Sequence, residues 1–148
     1  MKISQVGIDL IKEFEGCKLK TYVCPAGKKT VGYGHVLPDD TDITEISQDT
    51  ADKFLEFDIR RFEEVLNKDL ATYIYGLSQN QYDAIISLMF NIGSKNWLRS
   101  TLRDYVRNGN LREAEKEFSA WVWAAGKKLP GLERRRKAEA ALFAKDTK

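Results

Sequence analysis

Residues 17–36 read CKLKTYVCPAGKKTVGYGHV, and this stretch decides the fold. Leu19, Thr21, Tyr22, Val23, Thr30, Val31 and Tyr33 favour strands, and Pro25-Ala26-Gly27 supplies a turn. The pattern predicts a hairpin or small meander, followed by an acidic loop from Leu37 to Glu45. Upstream, Ser4 can cap a helix running to about Glu15. Val6, Leu10, Ile11 and Phe14 stand at helical spacing there, and Gly16 is a natural stop. Beyond Ser47 the pattern is helical almost to the end. The 48–66 segment sets Ala51, Phe54, Leu55, Phe62, Val65 and Leu66 on one broad face. Ser78 with Gln81 has the form of a capping box before Ile85, Ile86, Leu88 and Met89, and Asn110 with Glu113 repeats it before Phe118, Trp121 and Val122. Gly93, Gly109 and Gly126 stand where helices should stop. A last helix starts near Pro130 and carries Arg134, Arg135, Arg136 and Lys137. One helix, a small sheet and then a helical lobe make an α+β fold with its elements segregated.

With 148 residues, the chain has the length of one ordinary domain able to bury a core. Its 43% hydrophobic and 31% charged residues are the composition of a soluble globular protein. No apolar run approaches the roughly 20 residues of a membrane-spanning helix, so no membrane insertion is expected. Lys2, Asp9, Lys12, Glu13 and Glu15 interrupt the N-terminal region, so no secretory signal is expected. Charge is unevenly spread: residues 39–69 hold eleven acidic and four basic side chains, residues 120–148 eight basic and three acidic. The basic end reads equally as a solvated helix face or as a surface that orients on a polyanion. No nucleic-acid motif accompanies it. Cys17 and Cys24 lack metal-type spacing and His35 is the single histidine, which argues against a zinc site.

The chemistry concentrates between Glu13 and His35. Glu15 stands at the expected C-terminal end of the first helix, where the partial negative charge of the helix disfavours a second anion. A protonated carboxyl is what a general acid needs. Read alone, a Glu beside a Gly is equally a solvated surface residue. The run Thr30-Val31-Gly32-Tyr33-Gly34-His35 alternates glycines within a strand pattern, which admits a close backbone or ligand and is also simply a tight bulge. It has neither a Walker lysine nor the βαβ context of a dinucleotide fingerprint.

Together these residues resemble the catalytic region of the bacteriophage lysozymes (endolysins, glycoside hydrolase family 24). Glu15-Gly16, Leu19-Lys20-Thr21-Tyr22, Gly27 and Thr30 to His35 carry the likeness. It continues in Leu88-Met89-Phe90-Asn91-Ile92-Gly93, in Ser100-Thr101-Leu102, and from Trp121 through Gly131-Leu132 to Arg135-Arg136 and Glu139. The family's Glu is followed nine positions later by Asp or Cys and six further on by Thr, here Glu15, Cys24 and Thr30. The resemblance implies a single domain, 1–148, in two lobes: a sheet-bearing lobe at about 15–60, and a helical lobe from 1–14 and 61–148. It implies hydrolysis of the β-1,4 bond between N-acetylmuramic acid and N-acetylglucosamine in peptidoglycan, causing host cell lysis. Glu15 would protonate the leaving oxygen, and Thr30 would position water or support the second catalytic group.

Cys24 stands where better-known members carry Asp. A thiol of ordinary pKa, about 8.5, is mostly neutral at pH 7 and must be activated to match a carboxylate. It would then be a base toward water or a nucleophile, the third reading being an inert small side chain in a strand. Cys17 lies seven positions away, and a hairpin between the two would permit a disulfide that removes the sulfur. His35 is expected to support the geometry near Glu15 and is counted with Phe90 and Ser100 among the substrate-side residues the resemblance implies. Trp97, Trp121 and Trp123 suit either sugar stacking or core packing, with packing expected for most. Arg135 and Arg136 suit either the anionic wall polymer or pairing with acids such as Glu139. A catalytically dead peptidoglycan-binding module and a lytic transglycosylase remain open as alternatives. The resemblance implies no cofactor or metal, peptidoglycan as the partner, and a monomer made in the host cytoplasm. Access to the wall would require a holin-type membrane pore.

Overall fold

The computed structural model describes residues 1–146. Thirteen short elements follow in order: α1 (Gln5–Glu15), β1 (Lys18–Val23), β2 (Lys29–Gly32), β3 (His35–Val36), α2 (Gln48–Leu70), α3 (Gln79–Ile92), α4 (Ser94–Leu98), α5 (Thr101–Arg107), α6 (Leu111–Glu117), a 3-10 turn (Phe118–Ala120), β4 (Trp123–Ala124), β5 (Lys127–Lys128) and α7 (Pro130–Ala144). The fold is α+β, as expected. It forms two compact units, one of Ile11–Arg61 and one of Met1–Leu10 with the chain from Phe62 onward.

The smaller unit is organised by its antiparallel sheet, in the order β1-β2-β3. Tyr22 pairs with Thr30 and Lys18 with Gly32, so four steps along β1 match two along β2. The surplus residues of this bulge find other partners. Leu19 accepts from the Ile46 amide at 2.9 Å, and Thr21 donates to the Thr44 carbonyl at 2.9 Å. The acidic loop therefore ends as an added edge to the sheet, through a bridge between Lys20 and Glu45. Ile11, Val31, Leu37, Ala51, Leu55 and Ile59 are its buried core. Gly32 has φ +69°, and a Cβ there would lie 3.4 Å from that of Ala51. Glycine lets the strand turn without strain at this close approach.

The larger unit is built around α3, buried at every position from Gln81 to Met89. Its buried polar side chains, Gln81, Asp83 and Ser87, are each hydrogen-bonded, as burial requires. Its capping box is formed: Ser78 accepts from the Gln81 amide and the Gln81 side chain accepts from the Ser78 amide. Two other expected caps are absent. The Ser4 hydroxyl donates to Asp83 instead, and Asn110 caps through no side-chain bond, its backbone at ψ 66° being wrong for one. Gly126 stops no helix. Ala125 and Gly126 both have positive φ and form the two-residue turn between β4 and β5. This hairpin interrupts a stretch expected to be helical, and it leaves Trp123 61% exposed while Trp97 is fully buried. Pro130 does begin the last helix. On it, Arg135 and Arg136 are buried and pair with Glu139 at 3.2 and 2.7 Å. The core-pairing alternative therefore holds for both.

Candidate active site

The candidate residues Glu15, Cys24, Thr30 and His35 stand at the end of α1 and on the β1–β2–β3 segment. α1 runs to Glu15, and Gly16, at φ +68°, turns the chain directly into β1. β1 and β2 then bring Cys24 and Thr30 to the closed end of one hairpin. The Cys24 amide donates to the Lys28 carbonyl at 2.9 Å, and the Gly27 amide donates to the Cys24 carbonyl at 2.8 Å. Thr30 is buried, and its hydroxyl donates to the Lys28 carbonyl at 2.9 Å.

The thiol of Cys24 is part-exposed. Hydrogen bonding from the Lys28 backbone, then from the Thr30 hydroxyl, holds its pKa below the ordinary thiol value. The Thr30 hydroxyl has a single proton to offer. Beside a neutral thiol it can keep that proton on the Lys28 carbonyl and accept from the S–H. Beside a thiolate it can turn and donate to sulfur. The pair is thus built to accommodate either charge state.

The disulfide that a hairpin between Cys17 and Cys24 would permit does not form. Both cysteines are free thiols, and β1 is extended between them. The seven residue steps from Cys17 to Cys24, extended through β1, span roughly 20 Å, far beyond the ~4.4–6.8 Å of a disulfide. The turn lies after Cys24 and not between the two. Cys17 instead approaches the Gln48 side-chain oxygen at 3.8 Å.

His35 is held by α2: its Nδ1 lies 2.8 Å from an Asp58 oxygen, and its ring stacks on Phe54 with centroids 4.3 Å apart. Because His35 and Val36 pair with Val31 and Thr30, this anchor also fixes the strand that carries Thr30.

A sequence profile described as Phage lysozyme matches residues 12–139. The chain belongs to the phage lysozyme family. It is 45% identical to the endolysin of Acyrthosiphon pisum secondary endosymbiont phage 1, over 97% of this chain and 98% of that one. It is 39% identical to the endolysin of Bacillus phage B103 over 97% of its length, but spans only 54% of that protein. Among solved structures, the muramidase domain of SpmX from Asticaccaulis excentricus superposes with a TM-score of 0.86 at 34% identity, covering 96% of this chain and 97% of that one. This phage lysozyme is accordingly a glycoside hydrolase that acts on peptidoglycan.

Phe90 and Ser100 belong to the larger unit. Phe90 packs on Phe62 at 5.6 Å between centroids. The buried Ser100 hydroxyl donates to the Trp97 carbonyl at 2.7 Å and accepts from the Arg103 amide at 3.0 Å, capping α5. Its hydroxyl thus has a structural employment that the sequence did not suggest.

Several contributors were missed in the sequence. Asp58 stands one helical turn after Phe54, so both reach His35, and that i, i+4 spacing was a usable signal. A second group ties the end of α1 to the β2–β3 turn. Lys12 pairs with Asp52 at 3.1 Å and lies 5.6 Å from the Tyr33 ring centre. Gln48 donates to the Tyr33 hydroxyl at 3.1 Å and to Asp52 at 3.0 Å. The Gln48 amide and the Lys12 ammonium hold the Asp52 carboxyl below its ordinary pKa. These polar ties fix the helical turn that ends in Glu15.

Proposed function

We propose that this phage lysozyme hydrolyses the β-1,4 link between N-acetylmuramic acid and N-acetylglucosamine, with Glu15 as general acid and the Cys24–Thr30 pair opposite it. Glu15 donates its proton to the glycosidic oxygen as the bond breaks, and positive charge develops at the anomeric carbon. A thiolate at Cys24 stabilises that charge as a carboxylate would. Thr30 orients the attacking water, whose proton passes to the sulfur when Cys24 works as a base. The observation that supports this most is the closed hairpin end that sets the part-exposed Cys24 thiol by the buried Thr30 hydroxyl, surroundings that also hold the thiol below its usual pKa. An inert strand cysteine needs no such partners.

The enzyme works on the bacterial cell wall, as a monomer that reaches it through a holin-type membrane pore. These last features rest on the family likeness. No helix among the described residues is long and apolar enough to cross a membrane. Mass spectrometry of digested peptidoglycan tests the reaction. Reducing muramic-acid ends are expected. Anhydro-muramic ends would instead make the protein a lytic transglycosylase, and intact glycan would leave a binding module.

A further inference from the structure

We infer that the larger unit binds a short zwitterionic peptide in a cavity formed by α6, β5 and α7. The cavity measures about 430 Å³, within the range of small-molecule sites, and Val122 and Ala140 give it an apolar lining. None of the residues given catalytic roles lines it, so the inference stands apart from the proposed cleavage of glycan.

Charges of both signs surround this space: Glu115 from α6, Lys128 from β5, and Glu133 and Lys137 from α7. None of these four has an ion-pair partner among the described residues. Glu133 and Lys137 stand four positions apart in the order that favours pairing on a helix, yet they do not pair. The other charged groups of one sign or the other are already matched. Lys116 meets Glu113 at 3.4 Å, and the buried Arg136 meets Glu139 at 2.7 Å. Two cations and two anions are therefore left to face a ligand.

That balance selects among ligand classes. A polyanion would set its own charge against Glu115 and Glu133, and a polyamine would do the same against Lys128 and Lys137. A ligand with a carboxylate at one end and an ammonium at the other satisfies both pairs. The four groups come from three separate elements, so they match charges set apart along a chain, as in a dipeptide. The adjoining charges of a free amino acid match them less well. A small apolar side chain between the two ends is buried against Val122 and Ala140.

The test follows the backbone amide signals of Lys128, Glu133 and Lys137 in the full chain by NMR. L-Alanyl-L-alanine, its N-acetyl derivative, its C-terminal amide, free alanine and inorganic phosphate are titrated in turn. The dipeptide should shift all three signals saturably. Each blocked form should bind roughly two- to fivefold more weakly, the worth of one exposed ion pair. The double variant Glu115→Gln, Glu133→Gln should lose the preference for a free amine and keep that for a free carboxylate. Lys128→Gln, Lys137→Gln should do the reverse, and both should melt close to wild type. No saturable shift with the dipeptide, equal binding of the blocked forms, or tighter binding of alanine or phosphate would overturn the site. So would variants that lose both preferences together.

Discussion

Replacing Asp69 by Asn should unfold the enzyme measurably earlier, by an amount that disappears in acid. Asp69 is 7% exposed at the end of α2. Its carboxylate receives Arg103 through Nη2 at 2.5 Å and Nε at 2.9 Å, the Tyr73 hydroxyl at 2.5 Å and the Trp97 indole at 3.3 Å. Asparagine keeps one acceptor oxygen and turns an NH2 toward donors. Breaking a buried ion pair costs about 3–5 kcal/mol. The Arg103 side chain remains 19% exposed and can be partly rehydrated, which reduces the cost to about 2–3 kcal/mol. For a chain of this length that is a fall in Tm of roughly 5–10 °C. Burial pushes the Asp69 carboxyl up, but Arg103 and Tyr73 outweigh it and hold its pKa below the ordinary value. A carboxylate whose folded pKa is depressed stabilises above its unfolded pKa, near 3.9, and loses that contribution as pH falls through the folded value. The gap between wild type and Asp69→Asn, read by circular dichroism melts, should therefore be full at pH 6 and shrink below about pH 4. A gap under 1 °C at pH 6, or one unchanged down to pH 3, would refute this reasoning.

Thr30→Val, in a Cys17→Ser background, should raise the Cys24 thiol pKa, shifting the pH profile of its alkylation upward; an unchanged profile would remove Thr30 from the thiol's environment. Cys24→Asp should retain wall-lytic activity and Cys24→Ser should lose most of it, measured on purified peptidoglycan; full activity in the serine variant would make the sulfur a bystander. Mild oxidation should leave intact mass free of a Cys17–Cys24 bond, because β1 holds the two apart; a two-dalton loss mapped by peptide digestion to that pair would contradict the extended strand. Ser78→Ala should cost about 1 kcal/mol by removing one half of the capping box on α3, visible as a lower urea midpoint with unchanged slope.

Much of this architecture was readable in the sequence because local chemistry and tertiary packing agree there. Gly16 after Glu15, the Ser78–Gln81 box and Pro130 at a helix start each satisfy backbone groups that any such helix end must satisfy. The reading failed where a distant partner outcompeted a local one. Ser4 has the right type and position for a cap, yet Asp83, 79 residues away, takes its hydroxyl. The β4–β5 hairpin was hidden because Trp121, Val122 and Trp123 are compatible with a helix face, and the turn rests partly on Ala125 at φ 51°, a conformation its residue type does not announce. At the site, the spacing of Glu15, Cys24 and Thr30 was legible through likeness to a family. The Lys28 amide that lowers the thiol pKa was not, since a backbone donor leaves no mark on residue identity. Whether Cys17 and Cys24 meet was open in the sequence, because the six residues between them suit a hairpin; here all six are strand.

The central claim is that Glu15 supplies the proton that breaks the glycosidic bond, and Glu15→Gln tests it most directly. Turbidity loss of outer-membrane-stripped cells should fall at least 10²-fold, the usual worth of a general acid, while the variant's melting curve stays close to that of wild type. A folded Glu15→Gln protein that clears cells at the wild-type rate would contradict the assignment.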